Sequence, residues 1–382
     1  MFSLFQRVSA DVLIRPLTTD DWADLEKMIN TDPITFLYAS EHLELFGLPA
    51  PSALPALRYS AGFMGIFTSA QPSSVAKDDE GVTRVANPGV DTSPQTTLRN
   101  VSPRLRQVAE AFLTPLTQLR KSADSVSTVT AENTVSFHTT APPELVGAFW
   151  LGSNCVPLVI PEEYRVQVAA VIARSSRTVA SIFGAHDEVM GLWDLLAPKT
   201  GKPLSVRENQ PLLYLPQEVG LDHLTARSLH RAELKAPQLI AGGVRWARTS
   251  DRKSLLRASV AMFTEEVGYD PMERDPVGYA KRVDNFIRTG RSVVAVNEDS
   301  VVVFKADLGL VHSDICQIQG VWLHPAYRGF GLSEPLLAQG FQLIRARFPH
   351  ITLYVNDFNT RARKLYEALG MEQRGTFSTI LF

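Results

Sequence analysis

One apolar helix pattern occurs twice in this chain, and that repetition limits the fold more than any other feature. Displaced by 173 positions, His186 falls on Asn359, Leu192 on Leu365, Trp193 on Tyr366, Asp194 on Glu367 and Leu196 on Leu369. A strand-like run precedes each copy (residues 179–183 and 351–355), and an extended run follows (210–215 and 376–381). The same displacement pairs residues 149–151 with 322–324. Near the start of each half, Thr18-Thr19-Asp20 answers Thr249-Ser250-Asp251 at a displacement of 231, each opening a helix with a capping residue. The pattern predicts two α/β units in tandem, each a mixed, mostly antiparallel sheet flanked by helices.

The two displacements differ by 58, so the first half carries about that many extra residues, and they fall at about 68–143. Ser, Thr, Pro, Asp and Asn crowd this stretch, which buries too little apolar surface to offset its ordering entropy. A flexible insertion is expected. Inside it Leu105, Val108, Phe112, Leu116 and Leu119 recur at helical spacing over 104–121, beside Arg104, Arg106, Arg120 and Lys121 and interrupted by Pro115. A helix packed on its own domain and a docking or membrane-surface helix are the two readings of that segment. Pro237, followed by Gly242-Gly243, sets the expected boundary between units 1–236 and 237–382.

With 382 residues, 45% of them hydrophobic, the chain has enough apolar content for two cores. A net charge of −2 provides no field to attract nucleic acid. Cys155 and Cys316 sit far apart in apolar runs, which predicts buried thiols rather than a disulfide or a metal site, and the histidines show no zinc spacing. The first residues lack a basic end followed by an apolar core, and no run of 18 apolar residues occurs. A cytoplasmic enzyme without stable membrane association is the expectation, its oligomeric state open.

The chemistry-bearing segment is Val321-Trp322-Leu323-His324-Pro325-Ala326-Tyr327-Arg328-Gly329-Phe330-Gly331-Leu332-Ser333. It reads as an apolar strand, a turn and a glycine-bearing loop, followed by an apolar helix over 334–348. Backbone amides converge where such a helix begins, the two glycines leave those amides uncovered, and Arg328 adds a fork of donors. A diphosphate is the expected ligand.

Arg328-x-x-Gly331-x-Ser333 ahead of a helix resembles the R/Q-x-x-G-x-G/A signature of the GNAT (GCN5-related) N-acetyltransferase family, with serine at the final small position. The strand at 351–356 and the helix opened by Asn359 and closed by Gly370 resemble the family's second block. Together with Met262-Phe263-Thr264-Glu265-Glu266-Val267-Gly268, Val303-Phe304-Lys305-Ala306 and Gln317-Ile318-Gln319-Gly320, they give the chain a resemblance to two-domain actinobacterial GNAT proteins whose first domain is uncharacterised. The resemblance implies acetyl-CoA as cosubstrate, no metal, and a primary amine on a small molecule or protein as acceptor. It assigns the splayed strand to 319–323, with Val321, Trp322 and Leu323 presenting backbone groups. It further assigns the phosphate loop to Arg328, Gly329, Phe330, Gly331, Leu332 and Ser333, a pantetheine contact to Asn359, and the acid that meets the leaving thiolate to Tyr366.

Direct attack also needs a base. Many GNAT enzymes place a glutamate on the splayed strand, where this chain has Gln317 and Gln319, and amides accept no proton. Glu266 is preferred and Glu265 is second, because adjacent helical positions point about 100° apart. Asp307 and His312 are weaker options, and His324 reads as a turn residue. In the first half the 173 displacement sets Cys155 against Arg328 and Trp193 against Tyr366, with no glycine over 158–162, so that half is expected to be catalytically dead. Two functions from different classes follow: an acetyl-CoA-dependent N-acetyltransferase, or a non-catalytic protein that senses acyl-CoA.

Overall fold

The computed structural model describes residues 6–9, 12–56, 61–68, 143–175, 179–222 and 243–382. Nearly all of the expected insertion, its helical segment at 104–121 and the expected 236/237 boundary lie outside these residues. The first half comprises β1 (Gln6–Ser9), β2 (Val12–Pro16), α1 (Trp22–Ile29), α2 (Leu37–Phe46), β3 (Gly62–Thr68), β4 (Glu144–Leu151), β5 (Asn154–Val159), α3 (Arg165–Ser175), β6 (Ser181–Ala185), α4 (His186–Leu196) and β7 (Ser205–Leu215). The second comprises β8 (Arg245–Trp246), α5 (Arg252–Val267), α6 (Pro271–Arg274), α7 (Pro276–Arg288), β9 (Ser292–Val296), β10 (Val302–His312), β11 (Ile315–Leu323), α8 (Ser333–Arg345), β12 (His350–Tyr354), α9 (Thr360–Ala368) and β13 (Glu372–Leu381).

Local chemistry explains the boundaries. Asp275 caps α7 by accepting from the Gly278 amide, with Pro276 in the first turn, where its missing N–H costs nothing. α5 stops at Gly268 in the left-handed conformation, φ 89°. Both halves open with the same device: Arg15 grips Asp21 at 2.7 and 2.8 Å, and Arg245 grips Asp251 at 2.7 and 2.8 Å. Each aspartate also accepts the backbone N–H of its helix cap, Thr18 or Arg248. These pairs lie 230 positions apart, so the opening repeat is shifted by one residue from the expected 231; Asp21, not Asp20, is the partner of Asp251.

The strands form one 13-stranded sheet ordered β1-β2-β3-β4-β5-β6-β13-β7-β12-β11-β10-β9-β8. β5–β6 and β11–β12 are parallel and the other neighbours antiparallel. The last strand of each half crosses over: β13 pairs with β6, β7 pairs with β12, and β13 and β7 pair with each other along their length. Helices cover both faces. In the first half, α1 and α2 pack over Phe63, Trp150 and Leu158, while α3 and α4 pack over Ile66, Phe149 and Ile182 on the other side. In the second, α8 and α9 cover Phe304, Ala306, Leu308 and Ile318, while α5 and α7 cover Val294, Val302 and Trp322. Strands enclosed on both faces explain the continuous apolar runs at β3 and β9.

The halves also meet through α2, which lies against β10 and β11. Glu41 accepts from Arg291 at 2.7 Å and from the Val311 amide, and Glu44 Oε2 lies 2.7 Å from His312 Nδ1.

Register settles which positions correspond. Cys155 pairs with Ile182 and Cys316 with Ile351, so the cysteines are equivalent and the offset there is 161. The expected alignments of Cys155 with Arg328 and of 149–151 with 322–324 are therefore incorrect; 173 relates the helices alone. The reason is unequal turns. Five residues, 328–332, separate the 3-10 turn Pro325–Tyr327 from α8, and another five, 355–359, separate β12 from α9. In the first half, α3 follows the turn Glu162–Tyr164 directly, and α4 follows β6 directly.

Candidate functional site

The site is set by where two strands part. β11 and β12 pair only at Ile315↔His350, Cys316↔Ile351 and Gln317↔Thr352, and beyond that the parallel ladder ends. β11 carries a bulge: Lys305 pairs with Trp322 and Asp307 with Gln319, leaving Gly320 and Val321 without a partner on either neighbouring strand. The far edge of β12 is held by β7 of the first half over Leu212–Leu215. The turn beyond β12 is held there too, by Val355 N–H to Pro211 O, Asp357 N–H to Asn209 O and Gln210 to Asn356.

At the end of β11, His324 caps the 3-10 turn by accepting from Ala326, as its turn position suggested. The loop 328–332 then leads to the start of α8. Gly329 and Gly331 have φ of 85° and 76°, a region where L side chains are strained, and a Cβ placed on either would meet nothing within 4 Å. The space before the loop is open, and glycines at these positions keep it so. These features suit an anion held by backbone amides.

Arg328 is oriented away from that role: its Nε donates to Leu323 O at 2.9 Å and its Nη2 to Glu265 at 2.8 Å. Glu265 also accepts from Trp322 Nε1 at 3.4 Å. It thus ties α5 to the end of β11. Glu266, one residue on, contributes to raising the Tyr366 and Tyr354 phenols. For both phenols burial is the larger cause. Tyr366 is buried on α9, against the face of the sheet opposite α5. Asn359 caps α9, its Oδ1 accepting from the Ala362 amide.

The two weaker candidates for the base are committed elsewhere. Asp307 accepts from Lys305 Nζ at 2.6 Å and Ser292 Oγ at 2.6 Å, and His312 is paired with Glu44. Lys305 itself was not singled out by sequence reasoning. It is fully buried and also donates to Gly320 O at 2.9 Å. The signal was legible as a lysine and an aspartate two apart in an apolar strand, hence on one face. The thiols of Cys155 and Cys316 are buried and free, and burial pushes Cys155 up to about 12 and Cys316 higher still. Among the described residues no group of His, Cys, Asp and Glu could hold a metal, and no helix is long and apolar enough to cross a membrane.

In the first half the corresponding space is filled. A Cβ on Gly191 of α4 would lie 2.5 Å from Arg165 Nη1, so the Arg165 guanidinium closes the gap between α3 and α4.

Residues 302–379, which span β10 to β13 and contain the parted strands, the glycine loop and Tyr366, match the family model described as FR47-like protein. A 66-residue stretch is 35% identical to a mycothiol acetyltransferase from Acidothermus cellulolyticus, covering 17% of this chain and 20% of that protein. Over these stretches the second half is similar to the FR47-like family and to an acetyltransferase. The match spans about a fifth of that relative's length. Earlier in the chain, residues 136–235 match a domain of unknown function, DUF4081. Among solved structures, a tandem GNAT protein from the clavulanic acid biosynthesis pathway covers 96% of this chain and 98% of its own, with a TM-score of 0.42 and 10% identity. A GNAT acetyltransferase from Colwellia psychrerythraea covers 63% and 82%, with a TM-score of 0.41 and 10% identity.

Proposed function

We propose that the protein is an N-acetyltransferase that moves an acetyl group from acetyl-CoA to a primary amine by direct attack, within a catalytic domain at 237–382. The observation that carries this reading is the parting of β11 and β12 beyond the Gln317–Thr352 pair, with the open loop 328–333 at one end. In this reading the diphosphate lies on the amides of Gly329 to Ser333, and the pantetheine arm follows the free edge of Val321, Trp322 and Leu323 towards Asn359.

The acceptor amine must be neutral to attack, and for a lysine-like group deprotonation at pH 7 costs about 4–5 kcal/mol. Glu266 is the proposed base, acting directly or through water, since Glu265 is bound to Arg328. The oxyanion is met by a backbone N–H of the bulged strand. Tyr366 faces the thiol. Burial keeps its phenol protonated, so its first contribution is a hydrogen bond to the sulfur as charge develops there. The first half, 1–236, is proposed to bind no acyl donor, because both loops that frame the cleft are missing from it.

The test is thiol release from acetyl-CoA over a panel of small amines, amino acids and lysine peptides, with Tyr366→Phe as control. Release that depends on an amine and falls in the variant supports the transferase. Binding of CoA without release from any acceptor supports the acyl-CoA sensor.

A further inference from the structure

We propose that Lys305 is a positioning residue, one that turns the Gly320–Val321 peptide so that the Val321 N–H faces the thioester carbonyl in the cleft. This rests on the acetyl-CoA reading of the same cleft. The Lys305 side chain lies on the α5 face of the sheet, where it meets Met262 Sδ at 3.5 Å, Asp307 at 2.6 Å and the Gly320 carbonyl at 2.9 Å. A peptide unit is planar and trans, so its C=O and N–H point in opposite directions. With the Gly320 oxygen drawn down to the ammonium, the Val321 N–H points to the other side of the sheet, where α9 carries Tyr366.

Three further observations favour this role over a purely structural ion pair. Gly320 and Val321 are the bulged residues, outside the register with β10 and β12, and Lys305 adds a side-chain hold on the peptide between them. Gly320 has φ 59°, and a Cβ there would lie 2.9 Å from Met262 Sδ and 3.0 Å from Lys305 Nζ. Glycine therefore allows both the turn and the close approach of the ammonium. Finally, a buried Lys–Asp pair is costly to desolvate, and apolar residues would fill the same space more cheaply. The ammonium's bond to a backbone oxygen at the bulge gives the pair a use that no apolar residue supplies.

The experiment compares CoA with acetyl-CoA by calorimetry, because only the thioester presents a carbonyl to Val321. Wild-type protein is expected to bind acetyl-CoA roughly fivefold more tightly than CoA, the equivalent of one hydrogen bond. It should also lower the carbonyl stretching frequency of bound [1-13C]acetyl-CoA. Lys305→Met should abolish both effects while leaving CoA affinity within about twofold. The Lys305→Met/Asp307→Asn double variant, which leaves no lone buried charge, replaces the single variant if that fails to fold. Retained discrimination and an unmoved frequency in either variant overturn the proposal. Equal affinities and no frequency shift in the wild type also overturn it and leave the loop reading intact. A wild type that binds neither ligand overturns both.

Discussion

Glu266 and Tyr366 belong to helices on opposite faces of the sheet, yet the carboxylate's charge adds to burial in raising the phenol's pKa. Substitution of Tyr366 by phenylalanine is expected to lower kcat for amine acetylation by about 10²-fold, the lower range for a positioned acid. Affinity for CoA should stay within about twofold, read by steady-state kinetics and calorimetry. Unchanged kcat would move leaving-group stabilisation to another residue.

The neighbouring glutamates are expected to separate in their effects. Glu266→Gln removes the negative charge near Tyr366, so the phenol's pKa should fall towards its ordinary value, measurable by ultraviolet titration. In the same variant kcat for amine acetylation should fall by about 10²-fold, the lower range for a positioned base. Glu265→Ala instead removes the acceptor shared by Arg328 Nη2 and Trp322, so KM for the acyl donor should change by more than kcat.

Acid should destabilise the fold in two stages. Burial lowers the imidazole of His42 to about 4, against an ordinary 6.5. An unfolded chain therefore binds that proton before the folded one does, and stability is lost as pH falls from about 6.5 towards 4. Asp251 is lowered chiefly by Arg245, and Asp21 is lowered by Arg15 and Thr18 against the opposing effect of burial. Their stabilisation is present above about 3.8 and lost as pH falls below it. Urea unfolding against pH should show the upper stage removed in His42→Phe and the lower stage reduced in Asp251→Asn.

Gly320→Ala should damage both the bulge and the packing beneath it. Positive φ in a residue with a side chain costs on the order of 1–3 kcal/mol, and Met262 and Lys305 would have to move. Thermal denaturation should show the loss.

A protein cut to 237–382 is expected to fail as a soluble monomer, since it would leave β12 and β13 without β7. Coexpression of residues 1–236 should restore it, as judged by size-exclusion chromatography and circular dichroism. A folded, monomeric fragment would show that β7 is dispensable.

The helix repeat, the loop 328–333 and the cap at Asn359 were legible because each follows from local chemistry: apolar spacing, glycine conformation and an aspartate-like capping side chain. The strand correspondence was not. Cys155 and Cys316 are equivalent only through their ladders to Ile182 and Ile351, and a single displacement cannot follow two turns that differ by five residues each. Arg328 read as a free donor because its spatial neighbour Glu265 lies 63 positions away. Lys305 went unremarked because its partner, the Gly320 carbonyl, belongs to a bulge that no periodicity encodes.

The crossing of β7 and β13 gives the first half a hold over the second. Because each half completes the other's hydrogen-bonded ladder, discarding the half without a loop would also dismantle the half that has one. Damage to residues 205–215 should therefore be felt in the second half, through the ladders that β7 shares with β12 and β13.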